Sequence, residues 1–150
     1  MLARIRKSMD EKDKGFTLVE LLVVMIIIGI LAAIAIPVFM NQRKKAVDTA
    51  ARSDVSTIGK EIATYYVDAT AVLPATGVTG PAEGRYTVNG QDVGKVSNGV
   101  AFGQLVPGGT TVLDASQNWC VDVTVTGGTK TKISYSAKNG LKDEACTTTP

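Results

Sequence analysis

Hydrophobic positions along the chain change rhythm three times. From Leu21 to Ile36 there are sixteen consecutive residues without a polar side chain, and between Phe16 and Met40 the only ionisable residue is Glu20. About 20 apolar residues in a helix rising 1.5 Å per residue cross a ~30 Å hydrocarbon layer, so residues 16–40 read as a membrane-spanning helix. After Met40 the run gives way to Asn41-Gln42-Arg43-Lys44-Lys45, and a helical period takes over. Val47, Ala51, Val55, Ile58, Ile62 and Tyr65 follow one another at steps of three and four, which places them on one stripe. Lys44, Asp48, Arg52, Lys60 and Glu61 are assigned to the rest of that helix's surface. The helix is therefore predicted to run on to about Asp68, roughly 80 Å in all at 1.5 Å per residue, with residues 41–68 as its amphipathic part. Gly59 costs that part about 1 kcal/mol relative to alanine and allows a close approach by another element.

Turn formers then dominate. Pro74, Gly77, Gly80, Pro81 and Gly84 make residues 69–84 an expected irregular connection. Beyond it the period falls to two. Arg85 to Asn89 alternates, Asn89-Gly90 is a hairpin pair, and Val96 to Val106 is a loosely apolar stretch broken by Gly99 and Gly103. The clearest strand is Trp119 to Thr126, with Trp119, Val121, Val123 and Val125 on one face and Cys120, Asp122, Thr124 and Thr126 on the other. Gly127-Gly128 turns the chain into Thr131 to Ser136. An α+β fold is the expected outcome, the long helix carrying on its stripe an antiparallel sheet from a β-rich head over residues 69–150.

Composition narrows the function. The 150 residues contain no histidine, which removes Ser-His-Asp and Cys-His nucleophiles, His-ligated zinc and imidazole acid/base chemistry, and no enzyme activity is expected. Residues 1–15 hold five basic residues (Arg4, Arg6, Lys7, Lys12, Lys14) and three acidic ones (Asp10, Glu11, Asp13). Without them the chain has eleven of each sign, so a general nucleic-acid surface is disfavoured. Arg43, Lys44 and Lys45 lie just past the apolar run, so charge only leans toward a cytoplasmic amino terminus. Cys120 and Cys146 both follow the run, as expected if that region faces an oxidising compartment and they pair. The bridge would close a 27-residue segment. Asp114, Asp122, Asp143 and Glu144 lack the spacing of a calcium loop and are expected to be solvated; no cofactor or metal is assigned. A secretory signal cleaved near Ala32-Ala33-Ile34-Ala35 is the weaker reading of the apolar run, which is too long for one and carries Glu20.

The junction reads Lys12-Asp13-Lys14-Gly15-Phe16-Thr17-Leu18-Val19-Glu20-Leu21-Leu22. A short charged leader ending in glycine, then phenylalanine, then glutamate at the fifth place of a long apolar helix resembles the class III signal of type IV pilins and pseudopilins. Pro37 falls where that family commonly has a proline. The detailed resemblance covers residues 10–45. It implies a cleaved leader, 1–15, with the cut between Gly15 and Phe16 and N-methylation of Phe16 by a prepilin peptidase. Glycine suits the cleft because it resists helix and offers no side chain to clash. The resemblance also implies that Glu20 neutralises the amine of Phe16 on a neighbouring subunit, fixing the stagger of stacked helices. Gly29 and Pro37 bracket the expected place for the helix to bend or be lost, and Gly29 with Ala33 forms a small-xxx-small pair that lets helices approach. A pilin-like head with a carboxy-terminal disulfide loop fits the Cys120 and Cys146 pair.

The implied function is that of a structural subunit of a type IV filament, with a minor pilin or a pseudopilin of type II secretion or DNA uptake as the alternative, and an unpolymerised membrane-anchored domain behind both. The implied partners are further copies of the chain, the peptidase/N-methyltransferase, membrane lipid before assembly, and an inner-membrane platform driven by an ATPase. The implied location is the cytoplasmic membrane, then a surface pilus. The Thr147-Thr148-Thr149 tail is read as an ordinary polar end.

Overall fold

A computed structural model of the chain describes residues 15–147, the side chains of 81 and 82 excepted. The leader up to Lys14, and Thr148 and Thr149 of the tail, lie outside the described residues. Helix α1 spans Leu18–Asp68, ending where the stripe of apolar residues predicts. The chain divides into two compact units, Met1–Met40 and Asn41–Pro150.

In the first unit every residue from Gly15 to Met40 is exposed except Ala32, which is half-buried. Mean hydropathy over an 18-residue window reaches 3.1, and none of that window is buried by the protein itself. So large an uncovered apolar surface needs lipid or another protein around it. Of the bend or loss of helix expected between Gly29 and Pro37, the isolated chain shows no loss: every residue between them is helical. Proline removes a single backbone donor, and the surrounding turns keep theirs. A β-carbon on Gly29 would meet nothing within 4 Å, so this isolated chain places no steric demand for glycine there.

In the second unit two antiparallel sheets follow α1, where the sequence predicts one. The first has the order β1-β2-β3, from β1 (Val78–Ala82), β2 (Arg85–Val88) and β3 (Gln91–Lys95). The second has the order β4-β5-β6-β7, from β4 (Val100–Val106), β5 (Cys120–Val125), β6 (Lys132–Ser136) and β7 (Gly140–Lys142). Asn89 and Gly90 both have positive φ, 48° and 78°, the backbone of a two-residue hairpin turn between β2 and β3. A short helix, α2 (Val112–Asn118), joins β4 to β5 and is capped by Thr111, whose hydroxyl accepts from the Asp114 N–H.

The core joins the α1 stripe to both sheets. Ala51, Val55, Ile58 and Ile62 are fully buried, as are Leu73, Val121, Val123 and Ile133, with Trp119 and Tyr86 beside them. Trp119, Val121, Val123 and Val125 face inward as the alternation requires. Gly59 lies under the Tyr135 ring, where a β-carbon would stand 2.9 Å from the ring's Cγ, so the glycine does permit a close approach. Gly103 sits at a register shift between β4 and β5, and a β-carbon there would collide with the Asp122 carboxylate.

Two acids assigned to the surface are buried instead. Asp48 is 2% exposed and Asp122 is wholly buried, and Asp54, not singled out by periodicity, is buried as well. Each carboxylate ends strand or loop backbone that would otherwise lack a partner. Asp48 accepts from the N–H groups of Thr129 and Lys130 and from the Thr129 hydroxyl. Asp54 accepts from the Ser97 N–H and hydroxyl and from Tyr86 Oη, at 2.9, 2.8 and 3.2 Å. Burial, helped by the Asp54 charge, holds the Tyr86 phenol well above its ordinary pKa. The two aspartates thus tie α1 to the β5–β6 turn and to the loop before β4.

Candidate functional site

The chain enters α1 through a reciprocal cap. The Thr17 hydroxyl oxygen accepts from the Glu20 N–H at 3.2 Å, while Glu20 Oε2 accepts from the Thr17 N–H at 2.9 Å and from its hydroxyl at 2.8 Å. The first intrahelical bond runs from the Leu21 N–H to the Thr17 carbonyl, which makes Thr17 the N-cap and Glu20 the third helical residue. A helix beginning in an apolar setting has four N–H groups without intrahelical acceptors, and this arrangement satisfies some of them within one turn. Glu20 Oε1 makes no hydrogen bond among the described residues. The carboxylate therefore has one oxygen committed to its own chain and one available. Thr17 is the functional residue that sequence reading passes over; a threonine three places before glutamate at the start of an apolar run is the signal that reveals it.

Gly15 precedes the cap in non-helical backbone, and a β-carbon on it would meet nothing within 4 Å. Phe16 is 82% exposed. Gly15 and Phe16 thus lead directly into the turn that holds Thr17 and Glu20, while Gly29 and Pro37 lie farther along the helix.

In the second unit Cys120 and Cys146 form a disulfide with Cα atoms 5.8 Å apart. The carboxy-terminal segment is also fastened without it. Asp122 Oδ2 accepts from the Cys146 N–H at 3.1 Å, and its Oδ1 from Lys132 Nζ at 3.3 Å. The Cys146 carbonyl accepts from Gln104 Nε2. Asp143 receives two hydrogen bonds of 2.8 Å from Arg52 Nη2, one on each oxygen, and one of 3.1 Å from Nε. The hydrogen bonds from Arg52 outweigh partial burial and hold the Asp143 carboxyl below its ordinary pKa, with Lys130 nearby adding to the effect. The acids weighed as calcium ligands are dispersed among such partners: Asp114 is bonded by Asn118, and Glu144 pairs with Lys142 at 3.4 Å. Closing a 27-residue loop stabilises the folded state by about 3.5 kcal/mol in the chain-entropy picture. Cys120→Ser is expected to lower the stability of the head by about that amount, read by denaturant unfolding, with the Asp122 and Arg52 contacts keeping the native fold in dilute buffer.

The family model for the prokaryotic N-terminal methylation motif matches residues 11–36. Among curated proteins, type II secretion system core protein G of Dickeya chrysanthemi is 35% identical over 60 residues, 40% of this chain and 39% of that protein. Fimbrial protein EcpB of Eikenella corrodens is 60% identical over 35 residues, 23% of this chain and 22% of that protein. A fimbrial protein of Pseudomonas aeruginosa is 53% identical over 46 residues, 31% and 30% of the two chains. The matched part thus spans at most about two-fifths of the length of these relatives. No solved structure matches. With the methylation motif over the capped, apolar start of α1 and antiparallel sheets after it, the chain is type IV pilin-like, similar in its first part both to fimbrial proteins and to the secretion-system core protein.

Proposed function

We propose that the chain is the structural subunit of a type IV filament, made as a precursor, cleaved between Gly15 and Phe16, methylated on Phe16 and drawn from the membrane into a helical polymer of its own copies. The observation that carries this is the uncovered apolar length of α1 from Leu18 to Met40, interrupted only by Glu20 at a position where half its carboxylate is unengaged. Lipid covers that surface first. Leaving lipid is costly, since apolar residues contribute about −0.3 to −0.6 kcal/mol each to insertion, so extraction needs an ATP-driven partner, and the surface must then be covered by the same segment of neighbouring copies. Gly29 is open enough to admit such a neighbour closely. The head, tied by its disulfide and buried aspartates, remains the filament's solvent-facing part. The membrane-spanning orientation puts the leader and its basic residues in the cytoplasm and the disulfide outside.

Similarity to core protein G supports a second reading, a pseudopilus subunit of a secretion system. Sheared surface filaments that contain the chain by mass favour the first; a chain confined to the envelope favours the second. For either, the mature protein is expected to begin at Phe16 with one methyl group on its amine, read by mass spectrometry of its amino-terminal peptide. Gly15→Leu is expected to leave the precursor in the membrane. A mature chain that still begins at Met1, or normal processing of Gly15→Leu, overturns the assignment of the cleavage site.

A further inference from the structure

Arg43, Lys44 and Lys45 are used neither by the fold nor by the assembly role proposed above. All three are exposed, and among the described residues none forms an ion pair. The contrast along the same helix is sharp, because Arg52 is held by Asp143. Asp48, four residues after Lys44 and at the usual spacing for a helical ion pair, gives its carboxylate to Thr129 and Lys130. The triplet also runs against the orientation that the leader favours, since basic residues on the far side of a span weaken the positive-inside bias.

Their placement names a partner. Three consecutive helical residues point in directions 100° apart, so they ring the helix and suit many small anions better than one groove. Arg43 follows Met40, the last residue of the apolar run, by three places, about 4.5 Å of rise. Cα–Cβ bonds in a helix tilt toward its amino terminus, so these long side chains lean back along the chain toward the apolar run. Cationic groups at that level meet lipid phosphates.

We propose that Arg43, Lys44 and Lys45 bind the phosphate groups of anionic phospholipids in the outer leaflet of the membrane that holds the subunit. The proposal rests on the membrane-spanning reading of residues 16–40. These lipids serve as the triplet's counter-ions until extraction, and they fix the depth at which the subunit waits. The attraction is electrostatic and weakens with salt.

The test reconstitutes the full chain in phosphatidylcholine vesicles carrying trace spin-labelled phosphatidylglycerol or phosphatidylcholine, and compares the motionally restricted fraction of each lipid. The intact chain is expected to prefer phosphatidylglycerol by about threefold or more at low salt, and less at high salt. A variant with Arg43→Gln, Lys44→Gln and Lys45→Gln is expected to lose most of that preference, while Arg43→Lys keeps it. Every chain retains the leader, so the differences read the triplet alone. Equal preference in the intact and triple-glutamine chains, both resisting alkaline carbonate extraction, overturns the proposal but leaves the membrane reading standing. Release of the intact chain by carbonate overturns both. Unchanged lipid preference together with weakened association between copies assigns the triplet to acidic groups of a neighbour, and also overturns it.

Discussion

Glu20→Ala is expected to leave insertion and cleavage intact and to lower incorporation into filaments by roughly two orders of magnitude or more. The size follows from the proposed pairing. Processing at Gly15 would create a positive amine on Phe16, and stacking the helices would bury it; removing one partner of a buried pair costs about 3–5 kcal/mol. Alanine, however, also removes the cap that Glu20 gives to Thr17, which confuses two roles. Glu20→Gln separates them. Its amide oxygen can still accept from the Thr17 N–H, so the helix start is preserved, while the negative charge is gone. If charge pairing sets the stagger, Glu20→Gln chains fail to assemble nearly as fully as the alanine variant. Glu20→Asp keeps charge on a shorter arm and is expected to lie between. The ratio of membrane-bound to sheared filament protein measures all three, and wild-type yield from Glu20→Gln would eliminate the charge role.

Thr17→Ala completes that comparison from the other side. It removes the hydroxyl that accepts from the Glu20 N–H and donates to its Oε2, so the carboxylate loses part of what orients it. Both contacts on Thr17 converge on Oε2, which leaves Oε1 for a neighbour. A partner approaching a carboxylate already fixed in direction gives up less conformational freedom on binding. The threonine thus acts through the glutamate.

Elements governed by one clear period were legible in the sequence. The steps of three and four from Val47 to Tyr65 gave the buried stripe and the end of α1, because a helix half covered by sheets repeats its apolar face every turn. Strand β5 was equally clear, since Val121, Val123 and Val125 alternate with more polar neighbours. Strand β1 was lost among turn formers: Gly80 and Pro81 lie inside it, tolerable where a strand has a neighbour on only one side, as β1 has in the order β1-β2-β3. Strand β3, Gln91–Lys95, has a single branched apolar residue, and α2 is too short for a period to declare itself. The methylation motif over residues 11–36 was legible because it is local. Thr17 was not, because an acid isolated in an apolar run reads as a charge for a neighbour, which hides its part in its own helix cap.

The buried aspartates Asp48, Asp54 and Asp122 lie outside what a period can show. Periodicity sorts residues by polarity, so an acid is assigned to the surface wherever it falls. At 100° per residue, however, Asp48 lies only about 50° and Asp54 about 70° from the centre of the stripe formed by Ala51, Val55, Ile58 and Ile62. Both are flank positions, where another element can cover the side chain. What covers them is backbone with donors to satisfy: the β5–β6 turn at Thr129 and Lys130, and the loop at Ser97. Those partners lie 81, 82 and 43 residues away in sequence, beyond the reach of any local pattern.

Loss of the Asp48 carboxylate is therefore expected to destabilise the head strongly, with a definite dependence on pH. Asp48→Ala leaves the Thr129 and Lys130 N–H groups without their acceptor, and hydrogen bonds to a charged group are worth about 1.5–3 kcal/mol each, so a loss of about 3–5 kcal/mol is expected. Burial raises the Asp48 pKa, but the Thr129 hydroxyl, the two backbone N–H groups and the charge of Arg52 outweigh it and leave the carboxyl below its ordinary value. A carboxyl depressed on folding stabilises the native state fully above its unfolded pKa, about 4, and that contribution disappears as pH falls through the lower, folded value. Asp143, held down by Arg52, acts in the same direction and window. The thermal midpoint of the intact head should thus be flat near neutrality and fall below about pH 4. Asp48→Asn, similar in size but uncharged, is expected to start lower at neutral pH and to fall less steeply in acid, because one of the carboxyls depressed on folding is gone. Thermal unfolding followed by Trp119 fluorescence from pH 7 to pH 2 measures both curves, and parallel acid slopes for the two proteins would show that the Asp48 charge does not hold the β5–β6 turn to the helix.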